Sequence, residues 1–169
     1  MAAGITYTPI ATTTLGSAAA NITFSSISSS YTDLILVLNV AIASGGGGES
    51  VIRFNSDSGS NYSNTYLYGN GSSAGSARNT NATVGRVSYT AGFSTSLGNM
   101  NYIVHIQNYS NSTTYKTYLA RSNNAANGTD GIIGLWRSTS AINSIQFFYS
   151  DSSNIIAGSS ASLYGITAA

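Results

Sequence analysis

The stretch LILVLNVAIA, residues 34–43, decides the fold class of this chain. It is the longest apolar run in the sequence, and Asn39 interrupts it well before it reaches the length of a membrane-spanning helix. Both sets of alternating positions are largely apolar, which is typical of a strand that is covered on both sides. The first residues of the two faces are Leu34, Leu36 and Leu38 on one face and Ile35 and Val37 on the other.

The composition of the 169 residues predicts a folded domain with a polar but uncharged surface. Charged residues make up 7% of the chain, whereas roughly 25% is usual in soluble domains. Serine, threonine and asparagine replace them, with 30, 18 and 17 residues. The apolar share of 42% is too high for a disordered chain. We therefore expect one domain over residues 1–169 with a substantial core.

Strand signals recur along the whole sequence. Strong helix formers are rare, β-branched and aromatic residues are common, and apolar runs alternate with clusters of Gly, Ser, Asn and Asp. This pattern predicts an all-β protein, an antiparallel β-sandwich of about eleven strands. The predicted strands are 4–14, 20–27, 33–43, 50–55, 62–69, 82–91, 100–109, 114–121, 131–137, 143–150 and 159–167, with the main loops at 44–50, 69–81 and 122–131.

The strand at 34–43 also predicts an interface. A two-layer sandwich covers only one face of each sheet, so the second apolar face needs a loop, an amino-terminal strand or another subunit as its cover. We therefore predict that residues 34–38 belong to an interface strand. Residues 1–20 are a candidate arm or strand that contacts a neighbouring subunit.

The segment RFNSDSGSNYSNTYLYG at 53–69 raises the question of a metal site. Its spacing faintly resembles a calcium loop, but it has one carboxylate, and Tyr66 stands where the closing acid belongs. In the structural alternative, Asn and Asp side chains bond to nearby backbone, Gly59 takes a positive φ, and Arg53 reaches the loop carbonyls or Asp57. We favour the structural loop, made of Arg53, Asn55, Asp57, Gly59 and Asn61.

Residues suited to catalysis are scarce. His105 is the only histidine, Glu49 is the only glutamate, and cysteine is absent. No two-histidine metal motif or G-x-S-x-G motif is present. A Ser/His/Asp triad built on His105 from distant positions stays open as an alternative, as does a glycosidase pair of carboxylates. We expect no enzymatic activity, no cofactor and no metal.

The same residues limit the classes of partner. The six Lys and Arg residues are scattered singly, which argues against nucleic acid, and no segment is suited to a membrane. MAAGITYTPI at 1–10 has no basic region and no apolar region of a signal peptide. Exposed aromatic rings can stack on sugars. The candidates for a carbohydrate site are Tyr66, Tyr68 and Trp136.

Five segments carry a likeness to a known family. They are ITFSSISSSYTDLILVLNV at 22–40, RFNSDSGSNYSNTYLYG at 53–69, IQNYSNSTTYKTYLAR at 106–121, GLWRSTSAINSIQFFYS at 134–150 and SLYGI at 162–166. Together they resemble small β-sandwich virion proteins of tailed bacteriophages, of the cyanophage and marine-phage type. The likeness covers most of the chain after residue 20, and its motifs are structural. It implies a jelly-roll-like sandwich with a structural or adhesive place in the virion.

The resemblance implies two functions. The chain begins at Met1 and ends just past the last predicted strand, which suits a separate decoration (cement) protein on the capsid exterior. Proteins of that kind are commonly homotrimers, and the partner would be the major capsid protein or another virion protein. The alternative is a tail or fibre adhesin that binds host-surface carbohydrate. We expect the decoration protein, which would stabilise the head.

Overall fold

The chain forms twelve β-strands in a computed structural model that describes residues 6–43, 48–89 and 98–167. No helix occurs within these ranges. The predicted all-β antiparallel sandwich is confirmed, with one strand more than expected. The strands are β1 Tyr7–Thr14, β2 Asn21–Phe24, β3 Asp33–Val40, β4 Ser50–Phe54, β5 Tyr62–Gly69, β6 Ala74–Ala82, β7 Gly85–Arg86, β8 Met100–Gln107, β9 Lys116–Asn124, β10 Gly128–Trp136, β11 Ile145–Tyr149 and β12 Ser160–Ile166.

The strands build two antiparallel sheets. The larger sheet has the order β1-β12-β3-β8-β9-β10-β5-β6, and the smaller sheet has the order β2-β11-β4-β7. The apolar stretch around Leu36 is β3, which lies inside the larger sheet between β12 and β8. An interior place suits a strand whose only charged residue is Asp33 at its start, because both of its edges are paired and neither needs charges to prevent aggregation.

The connectivity of the two sheets is nested. Apart from the hairpins β5–β6 and β9–β10, the other eight strands form the antiparallel pairs β1·β12, β2·β11, β3·β8 and β4·β7. Successive pairs lie alternately in the larger and the smaller sheet. The two hairpins join through β10 and β5 and extend the larger sheet beyond β8.

The core lies between the inner faces of the two sheets. Phe54 of the smaller sheet meets the rings of Tyr118 and Trp136 at centroid distances of 5.9 and 5.6 Å. Phe147 of the smaller sheet meets Tyr102 of the larger sheet at 5.5 Å. The strands predicted at 100–109 and 143–150 correspond to β8 and β11, and alternate residues of both strands are buried in this core. They are Met100, Tyr102, Val104, Ile106, Ile145, Phe147 and Tyr149.

Two predicted loops contain strands. Most of the loop predicted at 69–81 is strand β6, and the loop predicted at 122–131 consists of the end of β9, a tight turn at 125–127 and the start of β10. The first error arose because β6 is rich in Ser, Asn and Gly, which disfavour strands on their own. Pairing with β5 outweighs that preference. In the turn between β5 and β6, the Asn70 side chain accepts hydrogen bonds from the Ser72 and Ser73 backbone N–H groups at 3.2 and 2.9 Å.

The amino-terminal segment pairs within its own chain. Strand β1 lies at one edge of the larger sheet and pairs with β12. Pro9 and a register shift between Pro9 and Ala11 interrupt this edge, and such features discourage further strand addition. Contact of residues 1–20 with a neighbouring subunit stays a prediction. Residues 4–5, 44–47 and 90–91, which belong to predicted strands and a predicted loop, lie outside the described residues.

Candidate functional site

The outer face of the larger sheet carries an exposed aliphatic surface. Eight large hydrophobic side chains are exposed in the described part of the chain, and six of them lie on this face, namely Tyr7 at the β1 edge and five aliphatic residues nearer the middle. We call these five residues the outer-face patch. They are Val37, Leu67, Ile103, Leu119 and Ile133, with exposed fractions of 37, 57, 37, 53 and 52%.

Strand register brings the patch together. Val37 on β3 pairs with Ile103 on β8, which pairs with Arg121 on β9. Arg121 pairs in turn with Gly131 on β10, and Gly131 pairs with Leu67 on β5. These residues form one row across five strands, and paired residues share a face of the sheet.

A second row lies beside the first. Leu119 pairs with Ile133 on one side and with His105 on the other. Leu119 and Arg121 are two residues apart on β9, so their side chains project from the same face. The patch therefore surrounds Arg121.

Strand β3 divides the predicted interface residues between two environments. Leu34, Leu36 and Leu38 point into the core and are at most 1% exposed, so their assignment to an interface is wrong. The strand alternates, and only Ile35 and Val37 of the predicted set lie on the outer face. Ile35 is nearly buried between its paired neighbours, and no described segment lies over Val37. The second apolar face is real, but the cover that we predicted for it is not supplied by the described residues.

Polar side chains border the patch on one side. Asn39 donates to Asn101 Oδ1 at 2.6 Å, and Asn99 donates to Asn39 Oδ1. On the other side of the patch, His105 Nε2 lies 2.9 Å from Asp33 Oδ2. Asp33 Oδ1 also accepts the Asn108 backbone N–H at 2.7 Å. Both borders are thus already hydrogen-bonded within the chain.

Arg121 differs from its polar neighbours. Its side chain is exposed, and among the described residues it has neither an ion pair nor a hydrogen bond to a side chain. A shallow hollow of about 460 Å³ lies beside it, with Leu67, Thr129 and Gly131 in its lining. A Cβ atom added to Gly131 would meet nothing within 4 Å. The outer face therefore combines aliphatic surface, open space and, at Arg121, a cation without a side-chain partner among the described residues.

Asp57 is the centre of the loop at 53–61. Its Oδ1 accepts the Gly59 backbone N–H at 2.8 Å, and its Oδ2 accepts Asn61 Nδ2 at 2.9 Å and Trp136 Nε1 at 2.6 Å. Burial alone would raise the pKa of Asp57, but the hydrogen bonds from Trp136, Asn61 and Gly59 outweigh burial, and the pKa is lowered. A carboxylate with three donors from its own chain fits the structural interpretation of this loop.

Two details of that loop differ from the expectation. The residues with positive φ are Asn55 and Ser56, at 52° and 57°, and Gly59 is not among them. Glycine is needed at 59 for space, because an added Cβ would lie 2.9 Å from Asn61 Nδ2 and 3.0 Å from Asp57 Oδ1. Arg53 was expected to reach the loop, but it donates to Thr83 O at 3.4 Å and stacks on Phe148. Among the described residues it makes no hydrogen bond to the loop.

Asn55 ties the same loop to the segment before β11. Its Nδ2 donates to Ala141 O at 2.8 Å, and its Oδ1 accepts the backbone N–H groups of Asn143 and Ser144 at 2.9 and 3.2 Å. An asparagine tolerates positive φ better than most residues, so its backbone conformation and its hydrogen bonds favour the same residue type. The loop is thus fixed at both ends by side chains.

The predicted carbohydrate-binding aromatics are mostly buried. Tyr66 and Trp136 are each 2% exposed, so neither ring can stack on a sugar, and the prediction is wrong for both. Trp136 packs against Phe54, and Tyr66 stacks on Tyr89 at 5.0 Å. Tyr68 stays half-buried beside Tyr89. Both errors arose because β5 and β10 direct these side chains inward, which the sequence alternation around them did not reveal.

Groups that could support chemistry are dispersed in the described residues. The described residues contain no cluster of three or more His, Asp or Glu side chains that could hold a metal ion. His105 and Glu49 are each engaged, with Asp33 and Arg86 respectively. No helix in the described ranges is long and apolar enough to cross a bilayer. The absence of activity stays a prediction.

Sequence reasoning missed the centre of the patch. Leu119, Arg121 and Ile133 were not predicted to be functional residues, because the strands holding them were placed at 114–121 and 131–137 and their outer faces were not compared. The sequence KTYLARSNN at 116–124 gave no clear signal, because its buried positions include Lys116, Ser122 and Asn124 while Leu119 is exposed. Only the strand order shows that these residues adjoin Val37.

Comparison of the chain with protein-family models, curated proteins and solved structures gave no match. The fold is therefore known from the chain itself, and the resemblance to phage virion proteins stays a prediction.

Proposed function

We propose that this chain is a phage virion structural protein, a capsid decoration (cement) protein that binds the outer shell and stabilises the head. The observation that carries the proposal is the outer-face patch. Monomeric proteins rarely leave a large contiguous apolar surface uncovered, and such surfaces mark sites of protein association. A broad sheet face with a polar border has the character of an interface core and rim.

The nested strand pairs support the jelly-roll-like part of the proposal. Jelly rolls are double-sheet folds of eight strands, and the four pairs from β1·β12 to β4·β7 account for eight strands in two sheets. The hairpins β5–β6 and β9–β10 would then be additions that widen one sheet. Three of the five patch residues lie on these hairpins, namely Leu67, Leu119 and Ile133.

The mechanism would be mechanical. A protein that contacts neighbouring capsomers adds buried area between them and thereby opposes their separation. Few charges are available for this contact, so shape complementarity and neutral hydrogen bonds would dominate it. We expect binding to be only weakly salt-dependent for that reason. Assembly as a homotrimer and contact with the major capsid protein belong to the same proposal.

Copy number tests the proposed place in the virion. Particles produced from the genome that encodes the chain are purified, and quantitative mass spectrometry gives the molar ratio of the chain to the major capsid protein. We expect a ratio near one or a simple fraction of it. A few dozen copies or fewer per particle would instead indicate the tail, and absence from the particles would overturn the virion assignment.

A further inference from the structure

The patch has an electrostatic requirement that its aliphatic residues do not meet. Arg121 lies in the same row as Ile103 and Gly131 and two residues from Leu119. Docking of any flat surface on the patch would remove water from this guanidinium. Transfer of an ion from water without a partner is strongly unfavourable, and this cost opposes docking unless the partner supplies a counter-charge.

Within the described ranges, no carboxylate of this face is free to supply that charge. Asp33 is the acid at the border of the patch, and it already binds His105 and the Asn108 backbone N–H. Asp130 lies on the neighbouring strand β10 but points inward and is 2% exposed. It accepts hydrogen bonds from the Tyr89 backbone N–H and from Ser122 Oγ. The counter-charge for Arg121 therefore has to come from the docked surface.

The space beside Arg121 fits a carboxylate side chain. Gly131 leaves the floor of the hollow open, and Leu67 forms its far wall in the same row. The guanidinium presents a planar set of donors that binds a carboxylate through two parallel hydrogen bonds. An Asp or Glu that enters over Gly131 would bring its carboxylate next to Arg121, while its neighbours cover the aliphatic residues.

Other occupants fit this surface less well. A second copy docked through the same face would bring a second Arg121 to the interface but no free acid to pair with either arginine. Nucleic acid and anionic membranes need clustered cations, but the only other unpaired arginine on this face, among the described residues, is Arg78 on β6. Sugars are held by exposed aromatic rings, but the patch residues are all aliphatic, and the exposed ring of Tyr7 lies on β1, four strands away from Arg121.

The dimensions of the face suit a protein partner. Eight strands at a spacing of about 4.8 Å, each about 27 Å long, give a face on the order of 1,000 Å². One partner contributes about 800 Å² to a stable protein interface of standard size. The face is therefore large enough for a specific complex, and its centre is the patch.

We propose that the outer-face patch binds a protein surface in which a carboxylate, held among aliphatic side chains, pairs with Arg121. This inference rests on the proposed function, because it specifies the surface that a virion partner would present. It does not depend on whether that partner belongs to the head or the tail.

Site-specific photo-crosslinking identifies the occupant. Leu119 is replaced by the photoreactive residue benzoylphenylalanine in the full chain, assembled particles are irradiated, and the linked peptide is sequenced. We expect a peptide of another virion protein that has Asp or Glu within a few residues of the link. A link to a second copy of this chain, a partner peptide without an acid, or no link above that from the same replacement at Thr23 on the smaller sheet would overturn the inference.

Charge reversal then tests the ion pair. Removing one member of a desolvated charge pair costs about 2–5 kcal/mol, so Arg121→Glu is expected to weaken binding to particles that lack the chain by about 30-fold or more. Replacement of the crosslinked acid by Arg should restore binding of the Arg121→Glu protein. The control is Arg53→Glu, which makes the same charge change on the other sheet and should leave binding unchanged.

The outcomes separate the two proposals. A crosslink to a tail protein, with loss and rescue as described, would overturn the decoration assignment and support the inference. If the wild type and Arg121→Glu bind the major capsid protein equally strongly, the result would support the decoration assignment and overturn the inference. Equal weakening by Arg121→Glu and Arg53→Glu would also overturn it, because the effect would then be one of net charge.

Discussion

Trp136 donates its indole N–H to Asp57 Oδ2 at 2.6 Å, although the two residues are 79 positions apart. Asp57 lies in the loop between β4 and β5, and Trp136 is the last residue of β10. The indole packs on Phe54, which precedes the loop. This hydrogen bond thus fixes the loop that connects the two sheets to the end of β10 in the larger sheet.

The first prediction concerns the charge of Asp57. Asp57→Asn keeps the shape of the side chain but turns an NH₂ group toward donors, so we expect a loss of about 1–3 kcal/mol in the free energy of unfolding at pH 7. Denaturant unfolding measures the loss. Asp151→Asn is the matched control, since Asp151 lies in an exposed turn and binds Ser153. An equal loss in the two variants would contradict a special role for Asp57.

The same residue predicts an acid dependence. The pKa of Asp57 is lowered below its ordinary value of 3.8. Its ionised form therefore stabilises the fold above about pH 4, and this contribution is lost as the pH falls through the folded-state pKa. The difference between the wild type and Asp57→Asn should shrink between pH 5 and pH 2, roughly, in the same unfolding measurement. A difference that is constant over this range would show that the charge is irrelevant.

Adjacent isoleucines test the assignment of the two faces of β10. Ile132 is fully buried and Ile133 is 52% exposed. We expect Ile132→Ala to cost about 2–5 kcal/mol in unfolding free energy, since it leaves a cavity. Ile133→Ala should change the same quantity by about 0.5 kcal/mol or less. Reversed magnitudes in denaturant titrations would mean that the strand is out of register by one residue.

Two glycines of β10 provide an independent test of packing. A Cβ added to Gly134 would overlap the ring of Tyr118, whereas a Cβ at Gly131 would meet open space. We expect Gly134→Ala to lower the unfolding free energy by about 1–3 kcal/mol. Gly131→Ala should be neutral or should raise it by up to about 1 kcal/mol, because alanine loses less backbone entropy on folding. Calorimetry of both variants checks the prediction.

Buried tyrosines predict a loss of stability in alkali. Burial raises the pKa of Tyr62 from 10.0 to about 12, and it raises the pKa of Tyr102 and Tyr118 well above 10.0. A raised folded-state pKa gives stability that is present below the unfolded value and lost as the pH rises through the folded one. Unfolding free energy should therefore fall between about pH 10 and pH 12. Phenolate absorbance should rise together with unfolding.

Tyr149→Phe is the matched variant for that experiment. The Tyr149 hydroxyl is buried and has no hydrogen-bond partner among the described residues, and burial raises its pKa. Its removal should leave stability at pH 7 unchanged or raise it by about 1–3 kcal/mol, and should reduce the alkaline loss. A variant less stable at pH 7 by a similar amount would show that the hydroxyl has a partner after all.

Periodicity predicted the parts of the fold in which one strand face is apolar. Tyr102 and Phe147 lie where the alternation of β8 and β11 placed them, because a period of two residues determines which side chains meet the core. The stretch around Leu36 correctly indicated a strand with two apolar faces. The recurring strand signals between clusters of Gly, Ser, Asn and Asp were sufficient to predict the sandwich.

The remaining features depend on contacts between distant segments. Strand β6 is held by backbone pairing with β5, and its Ser and Asn side chains do not favour a strand. Its local sequence therefore did not predict it. Trp136 is buried by Phe54, and the glycine at 59 is required by the side chains of Asp57 and Asn61, none of which a local pattern shows. The patch around Arg121 requires the order of five strands, and that order is long-range information.

The nesting of the strand pairs also determines when parts of the chain can fold. Strand β1 leaves the ribosome first, yet its only neighbour in the sheet is β12, and the bonded pair Thr12 and Ser162 is 150 positions apart. At about 5–20 residues per second, β1 waits for roughly 8–30 s without a partner during synthesis. The hairpin β9–β10 needs no such delay. Hydrogen exchange pulse-labelled during synthesis should therefore show protected amides in β9–β10 well before any in β1.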